Sequence, residues 1–291
     1  MRYFIWLVLV FVTKLLAGQG SSGDCYDKNF VEISVRMHDN QAYSMVSMQR
    51  EGGRIKARYF AAPDGLGNNA YNRYLNWARD KKIILVSAGT YVDGTETPVG
   101  LTIDNGITVN NTLTDKMDGL VIVYANGGIA VSNLKNGDLK LRGSGVDPNR
   151  LYDIISSAWD LQAFTSWAAS EEATVFQTHL LVYKNELQVS SYNSSQKIAT
   201  RRFLAVGKDI NGKLLHVIVD YPFECTLYQG TKRVLDFLNS VLDMDVIFMI
   251  NLDTGSQNVF NLYSNDCQLN EAIKGKYALN VAINILAYYF E

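Results

Sequence analysis

Hairpin-grade turns in close succession constrain this chain more than any other feature. Asp104-Asn105-Gly106, Asn126-Gly127-Gly128 and Asn136-Gly137-Asp138 punctuate short apolar runs between residues 98 and 141. Asn and Gly tolerate the left-handed backbone that a tight antiparallel reversal requires, so this stretch predicts a meander of antiparallel strands. Further strands are expected at 31–46, 55–60, 175–189, 203–219 and 246–252, and at 83–87, whose unbroken apolar character predicts burial on both faces. Helical spacing appears at 69–81, with Tyr71, Tyr74, Leu75, Trp77 and Ala78 on one face, and at 148–169, with Leu151, Ile154, Ile155, Ala158 and Leu161. A third helix is expected over 231–241, with Thr231 as N-cap and Val234, Leu235 and Leu238 facing inward. Strands with a few helices, not in regular alternation, predict an α+β domain: a curved mixed sheet, mainly antiparallel, with a few packed helices.

The N-terminus points to the compartment. Met1 and Arg2 precede an apolar run over 3–12, Lys14 interrupts it, and the small residues Ala17, Gly18 and Gly20 follow. That pattern predicts a signal peptide over 1–20, a linker over 21–30 and a single domain over 31–291, exported and not held in the membrane after cleavage. Ser22-Gly23-Asp24 before Cys25 lacks the residues of a lipid-anchor signal. In an oxidising space Cys225 and Cys267 are one candidate disulfide pair, with Cys25 left over, but three cysteines allow any single pair and the sequence does not choose among them. The stretch 277–290 is apolar but carries Asn280 and Asn284, and reads as a buried closing element. A net charge of −2, with Lys and Arg scattered, argues against nucleic acid as a partner.

Several chemistries find no support. Gly65-Leu66-Gly67-Asn68-Asn69-Ala70 has the letters of a dinucleotide turn, but the next strand ends at Val86-Ser87-Ala88-Gly89 without an acidic residue for a ribose. His38, His179 and His216 are far apart and none stands at metal-ligand spacing, so neither metal nor other cofactor is expected. There is no Gly-x-Ser-x-Gly elbow. What remains is Asn251-Leu252-Asp253-Thr254-Gly255-Ser256, a carboxylate and a tight turn at the end of a buried strand, where sites are commonly built. The plain alternative is that Asp253 caps its own turn.

A wider series of segments bears on that choice. In order come Val86-Ser87-Ala88-Gly89-Thr90-Tyr91, Pro98-Val99-Gly100-Leu101 with Asn105-Gly106, Leu180-Leu181-Val182, Arg201-Arg202-Phe203-Leu204-Ala205-Val206-Gly207, Val219-Asp220, Gly230-Thr231 and Asn251-Leu252-Asp253-Thr254-Gly255. Over roughly 55–263 this order resembles the phosphodiester glycosidase (uncovering-enzyme) family. Four positions depart from the family's pattern: Ser87 stands for an asparagine, Ala88 for a glycine, Thr254-Gly255-Ser256 for three glycines, and the arginine is displaced to Arg201 or Arg202.

The resemblance implies an exported hydrolase that cleaves a sugar 1-phosphodiester, with a carbohydrate or sugar-phosphate ligand. The phosphate leaves without needing strong protonation, so the site needs donors for the phosphate and a carboxylate for the oxocarbenium-like centre or for water. Asp253 is the expected carboxylate, Asp220 the second, and Arg202 or Arg201 the phosphate clamp. The amides of Thr254 to Ser256 are expected to add donors, and Ser87, Gly89, Asn251 and Gly230 to line the pocket. Asp93 and Glu96 are weaker carboxylate candidates, read equally well as solvated loop residues. The alternative is a non-catalytic protein that keeps the fold and binds glycan or cell wall, for which the 17 tyrosines and 4 tryptophans could supply stacking surfaces.

Overall fold

At Asn105-Gly106 both residues take positive φ, 52° and 78°, and the chain reverses between two strands as that dipeptide requires. The structure is a computed structural model that describes residues 25–61, 67–137, 139–143, 146–191, 197–255, 258–274 and 279–291. The expected signal peptide, most of the linker, Gly65, Leu66 and Ser256 lie outside them.

The chain opens with β1 (Val31–His38), β2 (Gln41–Gln49), β3 (Ile55–Ala61), α1 (Gly67–Ala78), β4 (Lys82–Ser87), β5 (Thr102–Asp104), β6 (Ile107–Asn110), β7 (Gly119–Val123) and β8 (Ile129–Asn133). It continues through α2 (Ala158–Ser170), β9 (Thr174–Thr178), β10 (Leu180–Tyr183), β11 (Glu186–Leu187), β12 (Ala199–Lys208) and β13 (Leu214–Cys225). It closes with α3 (Leu227–Val241), β14 (Asp245–Leu252), β15 (Phe260–Tyr263), β16 (Leu269–Lys274) and β17 (Asn284–Phe290).

The α+β class holds, but the expected single curved sheet is three antiparallel sheets. They run β1-β2-β13-β12-β14-β10-β11, β16-β15-β4-β17-β3 and β6-β5-β9-β7-β8. One apolar cluster draws on all three: Ile218 and Ile250 from the first, Leu85 and Tyr288 from the second, Val121 and Phe176 from the third. The 83–87 strand is buried along its apolar length, and the closing stretch becomes β17, a central strand between β4 and β3.

Four readings of local structure change. The strand over 31–46 is a hairpin, because Asp39 and Asn40 both adopt positive φ and pair His38 with Gln41. The run 175–189 divides at His179, where β9 of the third sheet gives way to β10 of the first. The helix over 148–169 starts only at Ala158: Asp153 captures the Ile155 and Ser156 amides, Ser157 caps, and Leu151 and Ile155 are exposed. The third helix starts at Leu227, where Thr226 and Gln229 form a capping box, and Thr231 lies inside it with its hydroxyl donating to the Leu227 carbonyl.

α3 buries Val234, Phe237 and Leu238 against the first sheet, where Phe237 stacks on Tyr43 at 4.3 Å between ring centres. Truncating such an aromatic costs roughly 3–5 kcal/mol. Of the three possible cysteine pairs the structure forms Cys25–Cys267, and Cys225 is a buried free thiol at the end of β13. Cys25 and Tyr26, within the stretch expected as linker, are buried, and the Cys25 amide donates to the Asn265 carbonyl at 2.6 Å. Among the described residues no helix is long and apolar enough to cross a membrane.

Candidate functional site

The ends of three sheets meet at Asp253. β14 is buried from Phe248's neighbour Met249 to Leu252 and pairs with β12 on one side and β10 on the other. Past the ladder, the Asp253 amide donates to the Gly89 carbonyl at 3.0 Å, just beyond β4 of the second sheet. From the third sheet, the Thr178 hydroxyl donates to the Asn251 carbonyl, and the Asn251 amide donates to the His179 carbonyl at 3.1 Å. The backbone around Asn251 and Asp253 is thus held from three directions before any side chain acts.

The Asp253 side chain is 3% exposed. Burial raises its pKa, against the Gly255 amide, which donates at 2.7 Å, and against Arg202, Lys197 and the Thr254 amide. The Thr254 and Gly255 amides therefore face the carboxylate itself, and the Thr254 hydroxyl donates to the Thr200 carbonyl at 2.7 Å.

The strand pleat separates the two candidate arginines. Successive side chains of β12 point to opposite faces, and Asn251 stands opposite Phe203 while Arg202 stands opposite Leu252. Arg201 therefore shares the Asn251 face, and Arg202 lies on the other.

Arg202 is fully engaged there. Its Nε donates to Asp220 Oδ1 at 2.9 Å, Nη1 to the Val259 carbonyl at 3.0 Å and Nη2 to Asn258 Oδ1 at 2.8 Å. The guanidinium also lies 4.3 Å from the Phe260 ring centre. Burial lowers its pKa, and Asp220 and then Asp253 pull it back. Asp220, expected as the second carboxylate, is the salt-bridge partner of this arginine at 2.8 Å. Arg201 is different: Nη2 donates to the Lys197 carbonyl at 2.6 Å, but its buried Nε has no hydrogen-bond partner.

On the Arg201 face, Asn251 Nδ2 donates to the Tyr91 hydroxyl and, at 2.9 Å, to the Leu252 carbonyl, while its buried Oδ1 has no partner. The Tyr91 ring meets the His179 ring edge to face, with centres 5.4 Å apart. Burial holds the Tyr91 phenol above its ordinary pKa, with Arg201 opposing and Asp253 reinforcing. Burial lowers the pKa of His179, which Asp118 counters and Arg201 and Lys135 reinforce.

A buried donor and a buried acceptor, each without a partner, thus flank a phenol beside a buried carboxylate. Leaving such groups unpaired costs roughly 1–3 kcal/mol each, which a polar ligand would recover. The 650 Å³ surface hollow lined by Tyr71, Tyr74 and Tyr263 does not include these residues.

The remaining expected residues shape the backbone. The buried Ser87 hydroxyl donates to the Ala88 carbonyl at 2.8 Å. A Cβ on Gly89 would stand 2.6 Å from Tyr59 Cε2, and the Gly89 amide donates to Asn284 Oδ1 at 2.8 Å, so the chain passes too closely for a side chain. Asp93 is exposed and accepts from the Thr95 and Thr97 amides as a turn residue.

Gly230 lies in the first turn of α3, where a Cβ would meet Cys225 Sγ at 2.8 Å and Phe203 Cζ at 3.0 Å, over the Arg201 stem. Gly230→Ala is expected to destabilise the fold by about 1–2 kcal/mol, the clash outweighing the ~1 kcal/mol by which Ala favours a helix. An unchanged or raised urea midpoint would contradict that packing.

No family model matches this chain, and no curated protein matches it. Solved structures give likeness of chain path. The catalytic domain of zebrafish N-acetylglucosamine-1-phosphodiester alpha-N-acetylglucosaminidase, auto-inhibited by its pro-peptide, aligns over 93% of this chain and 87% of its own at 16% identity, with a TM-score of 0.49. A hypothetical protein from Synechocystis aligns over 90% of this chain and 62% of its own at 11% identity, with a TM-score of 0.49.

Tyr91 and His179 are the residues that sequence reasoning passes over. Tyr91 reads there as the end of a strand motif and His179 as a histidine without a metal partner. The available signal is position: His179 directly precedes Leu180-Leu181-Val182, and Tyr91 follows Gly89 by two residues. Among the described residues, the one grouping with ligand atoms close enough for a cation is His38, Asp39 and Asp236. It is a partly exposed ion-pair cluster in which His38 Nε2 and Asp236 Oδ2 already satisfy each other at 2.7 Å.

Proposed function

We propose that this chain is an exported hydrolase that cleaves a sugar 1-phosphodiester, working from one phosphodiester glycosidase-like domain with its site at Asp253. The observation that carries the reading is the convergence of the buried Asp253 carboxylate with two buried, partnerless groups, Arg201 Nε and Asn251 Oδ1. The motif order that resembles the phosphodiester glycosidases supports it independently. The Cys25–Cys267 disulfide fits an oxidising destination.

The roles follow from the chemistry of the bond. As the anomeric C–O bond breaks, its electron pair leaves on the phosphate oxygen, where Arg201 offers a charged donor. A water attacks the anomeric carbon and its proton passes to Asp253, a better base for being held above the ordinary carboxylate range. The products are the free sugar and a phosphomonoester. Asn251 Oδ1, which has no protein partner, accepts from a sugar hydroxyl in this reading. Arg202 and Asp220 act as positioning residues, fixing β12 to β13 and holding a positive charge near Asp253.

A second reading, a glycan-binding protein without turnover, draws on the narrowness of the site: Asp253, Asn251 and Arg201 are all buried, and Thr254 stands where the family carries glycine. The deciding experiment incubates the purified protein with a panel of sugar 1-phosphodiesters and measures free sugar. Release supports the hydrolase. No release from any member, with binding to a glycan array still measurable, establishes the binding protein instead.

A further inference from the structure

We propose that Tyr91 is a second phosphate-oxygen donor beside Arg201, and so a determinant of specificity for a phosphorylated ligand. The proposal rests on the sugar-phosphodiester reading above and adds to it a residue whose role comes from the arrangement of hydrogens.

A phenol oxygen carries one proton and two acceptor positions. Asn251 Nδ2 donates into the Tyr91 oxygen, and the direction of that bond is fixed by a second contact. The same Nδ2 lies 2.9 Å from the Leu252 carbonyl, so a flipped amide would set two oxygens against each other. The Arg201 guanidinium also bears on the hydroxyl, by charge and by hydrogen bonding. With both donors at the oxygen, the phenol hydroxyl donates to no acceptor among the described residues, and Arg201 Nε–H likewise has none. Both hydrogens remain for a ligand.

The neighbouring groups define that ligand's charge. Arg201 Nε–H is a buried, partnerless donor on the same strand face. The titratable or charged groups around the pair are Arg201 and Asp253 beside Tyr91, and Asp118, Lys135 and Arg201 around His179. Two donors, one cationic, stand together at the Tyr91 hydroxyl, while the carboxylate of Asp253 is partly occupied by the Gly255 amide. A tetrahedral oxyanion with several acceptor oxygens, a phosphoryl group, matches that pairing.

An anion bound there would also act on His179, whose ring packs edge-on against Tyr91. A negative charge beside a half-buried imidazole favours the imidazolium, so phosphate binding should raise the pH at which His179 titrates.

Inorganic phosphate is the probe, with binding measured by calorimetry and the His179 imidazole followed by NMR. Wild-type protein is expected to bind phosphate with an upward shift of the His179 titration. Tyr91→Phe is expected to bind about tenfold more weakly, a loss of ~1.4 kcal/mol, and Arg201→Gln to lose binding, both with wild-type circular dichroism. Phosphate binding by Tyr91→Phe at wild-type strength, or a His179 resonance unmoved by bound phosphate, would overturn the proposal. Failure of the hydrolase reading looks different: phosphate binding stays Tyr91-dependent while no phosphodiester is turned over. Turnover with Tyr91-independent phosphate binding sinks the donor role alone.

Discussion

Asp253→Asn is expected to lower kcat/KM for sugar-phosphodiester cleavage by about 10³-fold, the contribution of a positioned proton-transfer carboxylate, while making the folded protein more stable at neutral pH. The second half follows from burial. Asp253 sits 3% exposed and its folded pKa lies above its ordinary value of 3.8. A raised folded pKa means that the native state holds the proton more tightly than the unfolded chain does. Stability from this group is therefore fullest below the ordinary value and is lost as pH rises through the folded one. At neutral pH the buried charge is a cost that the amide does not carry, and Asn can still accept from the Gly255 amide. Melting curves of the two proteins should separate at pH 7, the variant higher, and converge toward pH 3. If the variant melts lower at pH 7, Asp253 is a structural cap, and its catalytic assignment loses its physical basis.

The second large effect belongs to the disulfide. Cys25 and Cys267 are 242 residues apart, so their bond closes nearly the whole chain into a loop. Restricting an unfolded chain of that length is worth about 5 kcal/mol on chain-entropy grounds, and native bridges commonly deliver ~2–4 kcal/mol. Cys25→Ser with Cys267→Ser is expected to cost about 4 kcal/mol and to lower Tm by about 10 °C. The bond also holds the Cys25–Tyr26 segment over the β15–β16 turn, where the Tyr26 hydroxyl donates to the Tyr263 carbonyl at 3.1 Å. Urea unfolding with and without reductant is the check. Midpoints agreeing within ~1 kcal/mol of stability would mean that the terminal segment is held by its packing alone.

Much of the fold is legible in local chemistry. Asn105-Gly106 demands a reversal, 83–87 is too apolar for anything but a doubly covered strand, and α1 and α3 follow from spacing. Errors arise where side chains compete for the backbone over short range. Asp153 takes amides that a helix over 148–157 would need, and Asp39-Asn40 folds one apparent strand into two. A capping box moves the start of α3 from Thr231 back to Thr226. Each of those residues is visible in the sequence, but which hydrogen bond it makes depends on what the rest of the chain offers.

The region around Asp253 divides in the same way. By itself the sequence determined that a carboxylate follows Asn251-Leu252 at the end of a buried strand and that two adjacent arginines precede another strand, because apolar runs and turn residues act locally. Only the tertiary structure decided which arginine keeps a buried donor without a partner. Registering β12 against β14 puts Arg201 on the Asn251 face and Arg202 against Asp220, and a pleat turns that one-residue difference into opposite sides of a sheet. Tyr91 and His179 joined Asn251 for the same reason: one lies past the end of β4 and the other between β9 and β10, and contacts between segments so distant in the chain have no signature in the sequence nearby.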